Sequence, residues 1–294
     1  MTEMMASGLG TTRIGPTTFR WGERTFVMGI LNVTPDSFSG DGLITDTGDP
    51  VGSAVAQARR MVDEGADILD IGGESTRPGH APVSAEEERG RILPVIAAVR
   101  EALPDTPISV DTTKPAIAEA ALAAGADLIN DVWGVGDDDA LPRLAADHGV
   151  PIIVMHNRAE PRYRTFLPEV IADLQRALDR AASLGVPWDD LIVDPGFGFG
   201  KTPDHNLELL RELGTLRLLG RPILLGTSRK STLGRVLDLP AGERLEATLA
   251  TTTLGIAAGT DMVRVHDVRA NVRAARMTDA VVRGTWVEPE GGPR

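Results

Sequence analysis

Eight short runs of almost unbroken apolar character punctuate this chain: Phe26–Leu31, Ile68–Ile71, Ile108–Val110, Leu128–Ile129, Ile152–Met155, Leu191–Val193, Ile223–Leu225 and Met262–Val265. Each is bounded by Gly, Pro or polar residues. A strand apolar on both faces has to be covered on both, which is the situation of parallel strands lying under helices. The intervening segments carry helical signals. Val51–Glu64 sets Val55, Ala58, Met61 and Val62 at helical spacing. Ser84 followed by Ala-Glu-Glu-Glu reads as a cap and an acidic first turn, opening a helix that runs to about Leu103. Pro115–Ala124 opens on proline and stops at Gly125. Asp139–His148, Pro168–Leu184, Asn206–Leu213, Arg244–Ala258 and Val268–Val282 continue the alternation.

Eight strand–helix units without a composition break predict an α/β fold, a (β/α)8 barrel in a single domain; an open doubly wound sheet is the main competitor. The polar residues that end the runs favour the barrel. They are Asn32, Glu74, Asp111, Asn130, His156, Asp194, Ser228 with Lys230, and Arg264 with His266. In a barrel all strand ends face one mouth; in a doubly wound sheet these residues share no pocket. Residues 1–12 are expected to be a flexible tail, residues 13–287 the barrel, and residues 288–294 a second flexible tail. Thr17 to Thr25, with Phe19 and Trp21 in alternation, reads as a short N-terminal hairpin closing one end of the core.

Net charge excludes some partners. At -12 over 294 residues, the chain lacks the clustered Lys and Arg that nucleic-acid binding draws on, although a local basic pocket remains able to hold a small anion. There is no cysteine, so disulfides and thiolate metal sites are out. The first residues show no basic and then apolar leader, and no apolar run approaches the roughly 20 residues of a membrane span. A soluble cytoplasmic protein, with no nucleic-acid or membrane partner, is the expectation.

Several loops invite chemistry. Asp194-Pro-Gly-Phe-Gly-Phe-Gly-Lys201 ends like a phosphate loop, but that motif needs glycine where Pro195 stands. It reads instead as a loop covering a ligand, with Asp194 anchored at a strand end. Arg264 and His266, two apart, share one face and suit a phosphate at the last strand of a barrel. Ser228 and Lys230 also share a face, with Arg229 pointing away. Lys230 is open to two readings, a Schiff-base nucleophile or a hydrogen-bond donor. Gly72–Gly79 is a glycine-flanked loop with one cation, Arg77. Asp111, Asn130 and Asp194 are a set of acceptors and amides suited to the N–H/NH2 edge of a guanidine-like ring.

Taken in order, MGILNVTPDSFSGDG, GGESTRPG, ISVDT, LIND, DPGFGFGK, SRKS and RVHD resemble the dihydropteroate synthase family over roughly Thr25 to Val282. The resemblance implies a (β/α)8 barrel, commonly homodimeric, that joins p-aminobenzoate to 6-hydroxymethyl-7,8-dihydropterin diphosphate in folate synthesis and is a target of sulfonamides. It implies that Asp111, Asn130, Met155, Asp194 and Lys230 hold the pterin. Asn32, Arg264 and His266 would take the diphosphate, with Mg2+ on Asn32. Pro35, Phe38, Thr76, Arg77, Pro78, Phe199 and Ser228 would form the p-aminobenzoate site. Asn32, Asp111, Lys230, Arg264 and His266 are thereby the candidate catalytic set.

Two departures stand out. The first loop reads SFSGDG where the family commonly has SFSDGG, displacing Asp41 by one place, and NRAEPRYR follows His156 in place of a Met/Gln/Gly-rich stretch. Asp36, beside Pro35, suits a turn-shaping role. The competing readings are a methyltetrahydrofolate:corrinoid methyltransferase, a non-catalytic pterin-binding paralogue, and an unrelated phosphate-handling barrel using Lys230 as a Schiff base.

Overall fold

Side chains in a strand alternate between faces, so a barrel strand feeds two cores at once. The computed structural model, which describes residues 8–34, 49–74, 83–134, 136 and 138–286, shows both. Its barrel strands are β3 (Phe26–Asn32), β4 (Ile68–Gly72), β5 (Ile108–Asp111), β6 (Leu128–Asp131), β7 (Ile152–Met155), β8 (Leu191–Asp194), β9 (Leu224–Leu225) and β10 (Met262–Val265). They pair in parallel in the order β8-β7-β6-β5-β4-β3-β10-β9. The ring closes through the bridge Val193–Ile223 and the bond from Val193 N–H to the Pro222 carbonyl, 2.9 Å. The doubly wound alternative is thereby excluded.

Seven of the eight predicted runs lie within an observed strand, and the other, Ile223–Leu225, overlaps β9. Five of the strands run on past the apolar run into a polar or glycine residue, because the backbone ladder does not stop where hydropathy does. Asp111, for example, still pairs with Gly72 and Asn130.

One parity of each strand faces outward. Val27, Leu31, Leu69, Ile71, Val110, Ile129, Val154, Val193, Leu225, Val263 and Val265 pack in one buried cluster with helix residues such as Ile92, Ile96, Leu174 and Val268. The helices are α1 (Pro50–Asp63), α2 (Ala85–Ala102), α3 (Pro115–Ala123), α4 (Ala140–His148), α5 (Phe166–Ser183), α6 (Pro203–Arg211), α7 (Ser231–Leu237), α8 (Leu245–Ala257) and α9 (Val268–Val282). The expected cap of α2 is present, Ser84 Oγ accepting from Glu87 N–H at 3.2 Å. Helix α6 starts earlier than the apolar pattern suggests, because Thr202 and His205 form a capping box ahead of Pro203.

The other parity faces inward. Met28, Ile68, Leu128, Ile153, Ile192, Leu224 and Met262 form an apolar floor at the N-terminal end of the barrel. Below it sits a hairpin, β1 (Thr11–Ile14) paired with β2 (Thr17–Arg20), whose Ile14 and Phe19 join Trp21 and Phe26 against that floor. Phe19 stacks on Trp21 at 5.6 Å and meets the tilted Phe26 ring at 4.6 Å. The hairpin begins at Thr11, inside the stretch expected to be a tail, so 1–12 is a correction: Thr12 is buried and its hydroxyl accepts from Trp21 Nε1–H at 2.8 Å. A strand with alternating exposed and buried positions has too few apolar residues to announce itself. Residues 1–7, the last tail 288–294, Pro35, Asp36, Phe38, Asp41, Thr76, Arg77 and Pro78 lie outside the described residues.

Candidate active site

Following the inward parity from the apolar floor toward the strand C-termini reaches Asn32, Asp70, Gly72, Asp111, Asn130, Met155, Asp194 and Arg264, then His266 just past β10 and Ser228 three residues past β9. The interior thus changes from hydrocarbon to polar groups within two layers.

Arg264 is the hub. Its Nε donates to Asp70 Oδ2 at 2.6 Å and its Nη2 to Asp111 Oδ2 at 2.6 Å, while Asn130 Nδ2 donates to the same Asp70 oxygen at 3.2 Å. Asp70 and Asp111 are buried. Burial pulls the guanidinium down, but Asp70 and Asp111 outweigh it and raise Arg264 above its ordinary value. Burial pushes the Asp111 carboxyl up to about 7, with Arg264 pulling the other way. Three buried acceptors, Asp70 Oδ1, Asp111 Oδ1 and Asn130 Oδ1, have no partner among the described residues. Each costs about 1–3 kcal/mol left so, and this set asks for a ligand with several N–H donors.

Asp194 is fixed by its own loop, Oδ1 accepting from Gly196 N–H at 2.7 Å. Burial raises its pKa and Lys230 opposes this. The loop folds tightly because Gly196, Gly198 and Gly200 all have positive φ; a Cβ at 196 would sit 1.8 Å from the His156 carbonyl oxygen. Lys230 reaches this loop, donating to the Phe197 carbonyl and lying 4.2 Å from the Phe199 ring centroid. Burial pulls the Lys230 ammonium down to about 8, Asp194 pushing it back up. The turn that delivers Lys230 is strained at Arg229, φ 58. That residue points away, as its sequence parity predicts, and is held by Asp267 through Nη2 at 2.7 Å and Nε at 3.1 Å. Ser228 Oγ and His266 Nδ1 lie 2.9 Å apart, joining the last two strand ends.

Asn32 ends β3 beside Gly72, partly exposed, and Met155 is buried beside Asp194. A cavity of about 300 Å3 opens next to Asp111, lined among others by Thr112, Val132, Trp133, Arg158 and Phe199. Of the predicted residues, Asn32, Asp111, Asn130, Met155, Asp194, Phe199, Ser228, Lys230, Arg264 and His266 therefore gather at one mouth. Glu74 lines the same cavity, its carboxylate held by Lys114, which also holds Glu88, each at 2.5 Å. One other predicted residue does not gather there. His156 follows Met155 and so has outward parity; its Nε2 faces Asp173 of α5 at 3.2 Å. Asp70 was missed by the sequence reading. Its signal was there, one acidic residue interrupting the apolar run Ile68–Ile71.

Among the described residues no three His, Asp or Glu side chains are grouped to hold a metal ion, and no helix is long and apolar enough to cross a membrane.

A closed parallel barrel whose mouth pairs a half-buried lysine and arginine with unsatisfied carboxylate and amide acceptors suits a nitrogen-rich heterocycle, and the family model described as pterin binding enzyme matches residues 28–266. A Clostridium beijerinckii dihydropteroate synthase is 49% identical over 92% of this chain and 99% of its own, and a Bacillus subtilis one 49% over 91% and 92%. Among solved structures, the Clostridium difficile dihydropteroate synthase determined with pteroic acid superposes with TM-score 0.85 at 47% identity, covering 90% of this chain and 99% of that one. The Xanthomonas albilineans enzyme with 4-aminobenzoic acid gives 0.86 at 39%, covering 97% and 100%. A Yersinia pestis enzyme in a sulfonamide complex gives 0.85 at 37%, covering 92% and 98%. The chain belongs to the dihydropteroate synthase family.

Proposed function

We propose that this transferase joins p-aminobenzoate to 6-hydroxymethyl-7,8-dihydropterin diphosphate, releasing 7,8-dihydropteroate and pyrophosphate. The observation that carries the reading is the set of buried, unpartnered acceptors around Arg264, with Asp194 and Lys230 beside it. A pterin offers a guanidine-like edge of donors to Asp194 and Asn130, and a carbonyl and ring-nitrogen side to Lys230. Asp111 and Met155 complete its surroundings. The bond from the exocyclic carbon to the diphosphate oxygen breaks with its electron pair on the leaving group. The carbocation is delocalised into the electron-rich ring, the arylamine nitrogen closes the new C–N bond, and the amine sheds a proton. Such an SN1-like displacement needs positioning and stabilisation of leaving charge more than a strong base.

Asn32, Arg264 and His266 would hold the diphosphate. The amide oxygen of Asn32 at a strand end suits Mg2+, which prefers oxygen donors and takes the rest from phosphate and water; bound there, the ion would neutralise leaving-group charge. Phe199 and Ser228 would border p-aminobenzoate, together with Pro35, Phe38, Thr76, Arg77 and Pro78. Sulfonamides, bound by the Yersinia pestis relative, would compete there. A homodimer is supported by Leu254 on α8 and Met277 and Val281 on α9, which are 60–71% exposed. A cytoplasmic site of action fits a cysteine-free chain of this chemistry. The deciding experiment is pyrophosphate release by purified enzyme with Mg2+, expected only when both substrates are present and suppressed by a sulfonamide. Release with either substrate alone, or none with both, overturns the reading.

A further inference from the structure

Lys201 closes the glycine loop, yet it has no place among the substrate contacts above. Its Nζ lies 2.9 Å from His156 Nδ1, 3.3 Å from the His156 carbonyl oxygen and 3.0 Å from the Phe199 carbonyl oxygen. An ammonium has three N–H donors, and here it meets three acceptors. The match requires a neutral His156 with its proton on Nε2, which is the nitrogen that faces Asp173 Oδ2 at 3.2 Å. Burial and then the charge of Lys201 hold the His156 imidazole down to about 3, so it is neutral at working pH. Asp173 is itself anchored by Arg158 through Nε at 3.0 Å and Nη2 at 2.7 Å. A continuous chain therefore runs from Arg158 and Asp173 on the helix side, through His156 and Lys201, to the Phe199 carbonyl.

What lies at the other end of that chain gives it meaning. The Phe199 ring stands 4.2 Å from Lys230 Nζ, and the Phe197 carbonyl accepts from the same ammonium. The loop carrying these groups is fastened at its start by Asp194 Oδ1 on the Gly196 N–H and at its end by Lys201, with Asn206 Oδ1 accepting from the Gly198 N–H at 2.7 Å and the Tyr163 hydroxyl donating to the Gly200 carbonyl at 2.8 Å between them. We propose that Lys201, supported by His156 and Asp173, is a positioning residue that sets the glycine loop so that Phe199 and the Phe197 carbonyl hold Lys230 at the pocket. The proposal rests on the reading of Lys230 and Phe199 as substrate-binding residues. It also assigns a purpose to His156, a strand-end residue that the active site leaves outside.

The groups charged around Lys201 are Asp194, Lys230, Arg158 and Asp173. Burial is the largest influence and pulls the ammonium down to about 7; Asp194 pushes up, Lys230 and Arg158 pull down, Asp173 pushes up. A deprotonated Lys201 keeps two N–H donors for three acceptors, so the fastening weakens as pH rises through about 7.

The test compares wild type with Lys201→Met, which keeps the stem and removes every bond. The expected result is that the KM for p-aminobenzoate, through Phe199, and the dissociation constant of a pterin analogue, through Lys230, both rise about tenfold. Amide hydrogen exchange at residues 196–199 is expected to quicken in parallel. Asp173→Asn, which leaves the loop and its lysine in place, is expected to move both readings in the same direction by a smaller factor and keeps the test valid should Lys201→Met fold poorly. Loss of kcat alone, with KM for p-aminobenzoate and loop exchange unchanged in both variants, overturns the proposal. Wild-type enzyme that releases no pyrophosphate would instead refute the functional reading, and the exchange measurement would still decide whether Lys201 fastens the loop.

Discussion

Asp111 sits where its charge decides what the pocket accepts. A carboxyl pushed up to about 7 is half protonated at neutral pH in the ligand-free enzyme. An N–H donor prefers the carboxylate, so pterin binding is expected to release part of a proton at pH 7 and to tighten as pH rises from 6 to 8. Calorimetry in buffers of different ionisation enthalpy reads that proton, and Asp111→Asn is expected to abolish the pH dependence. The linkage to stability has the opposite sense. The folded state binds more protons than the unfolded between about 4 and about 7, so the Asp111 contribution to stability is present at low pH and is lost as pH rises through that window. Lys230→Ala removes a charged donor, and a weakening of pterin affinity by about 1.5–3 kcal/mol is expected from titration of a pterin analogue. Asp70 shows what alternation alone reveals. Its position in β4 shares parity with Ile68, so register would have placed it inside the barrel and put His156 outside; hydropathy alone ranked them the other way round.

At the scale of the element, the glycine loop separates two costs that sequence cannot tell apart. Gly196 and Gly220 both have positive φ, 68° and 62°. A Cβ at 220 meets nothing within 4 Å, whereas one at 196 collides with the His156 carbonyl. Gly220→Ala is expected to cost about 1 kcal/mol in urea unfolding and leave turnover intact. Gly196→Ala is expected to lower kcat/KM by at least a hundredfold, because the loop cannot keep its place beside Asp194. The strands were legible because continuous Val, Ile and Leu runs leave little choice but burial on both faces. The seven-residue α7 was not, since Ser231–Leu237 is too short to show a period, and it forms under the tertiary ties of Arg229 and Arg244. The hairpin start was hidden for a different reason, its two strands having only one buried face each.

For the whole molecule, stability and catalysis are housed at opposite ends. Phe19 is fully buried against the floor, far in chemistry from the mouth, and Phe19→Ala is expected to cost about 3–5 kcal/mol in chemical unfolding with kcat unchanged in the remaining folded enzyme. The exposed Leu254, Met277 and Val281 belong to neighbouring helices at the barrel's outside. If they are covered by a second copy, Val281→Lys turns the sedimenting dimer into monomer while the mouth, on another surface, keeps its affinity for pterin. An unchanged sedimentation coefficient would remove that face from consideration.

The hairpin also imposes a traffic rule. Among the described residues Phe19, Trp21 and Phe26 stopper one end of the barrel, so that it resembles a well entered from the opposite end. On the assignment proposed above, a pterin beside Asn130 and Asp194 is expected to arrive before an arylamine bordered by Phe199 and Ser228. An ordered addition is the expected outcome, in which a saturating second ligand slows the escape of the first.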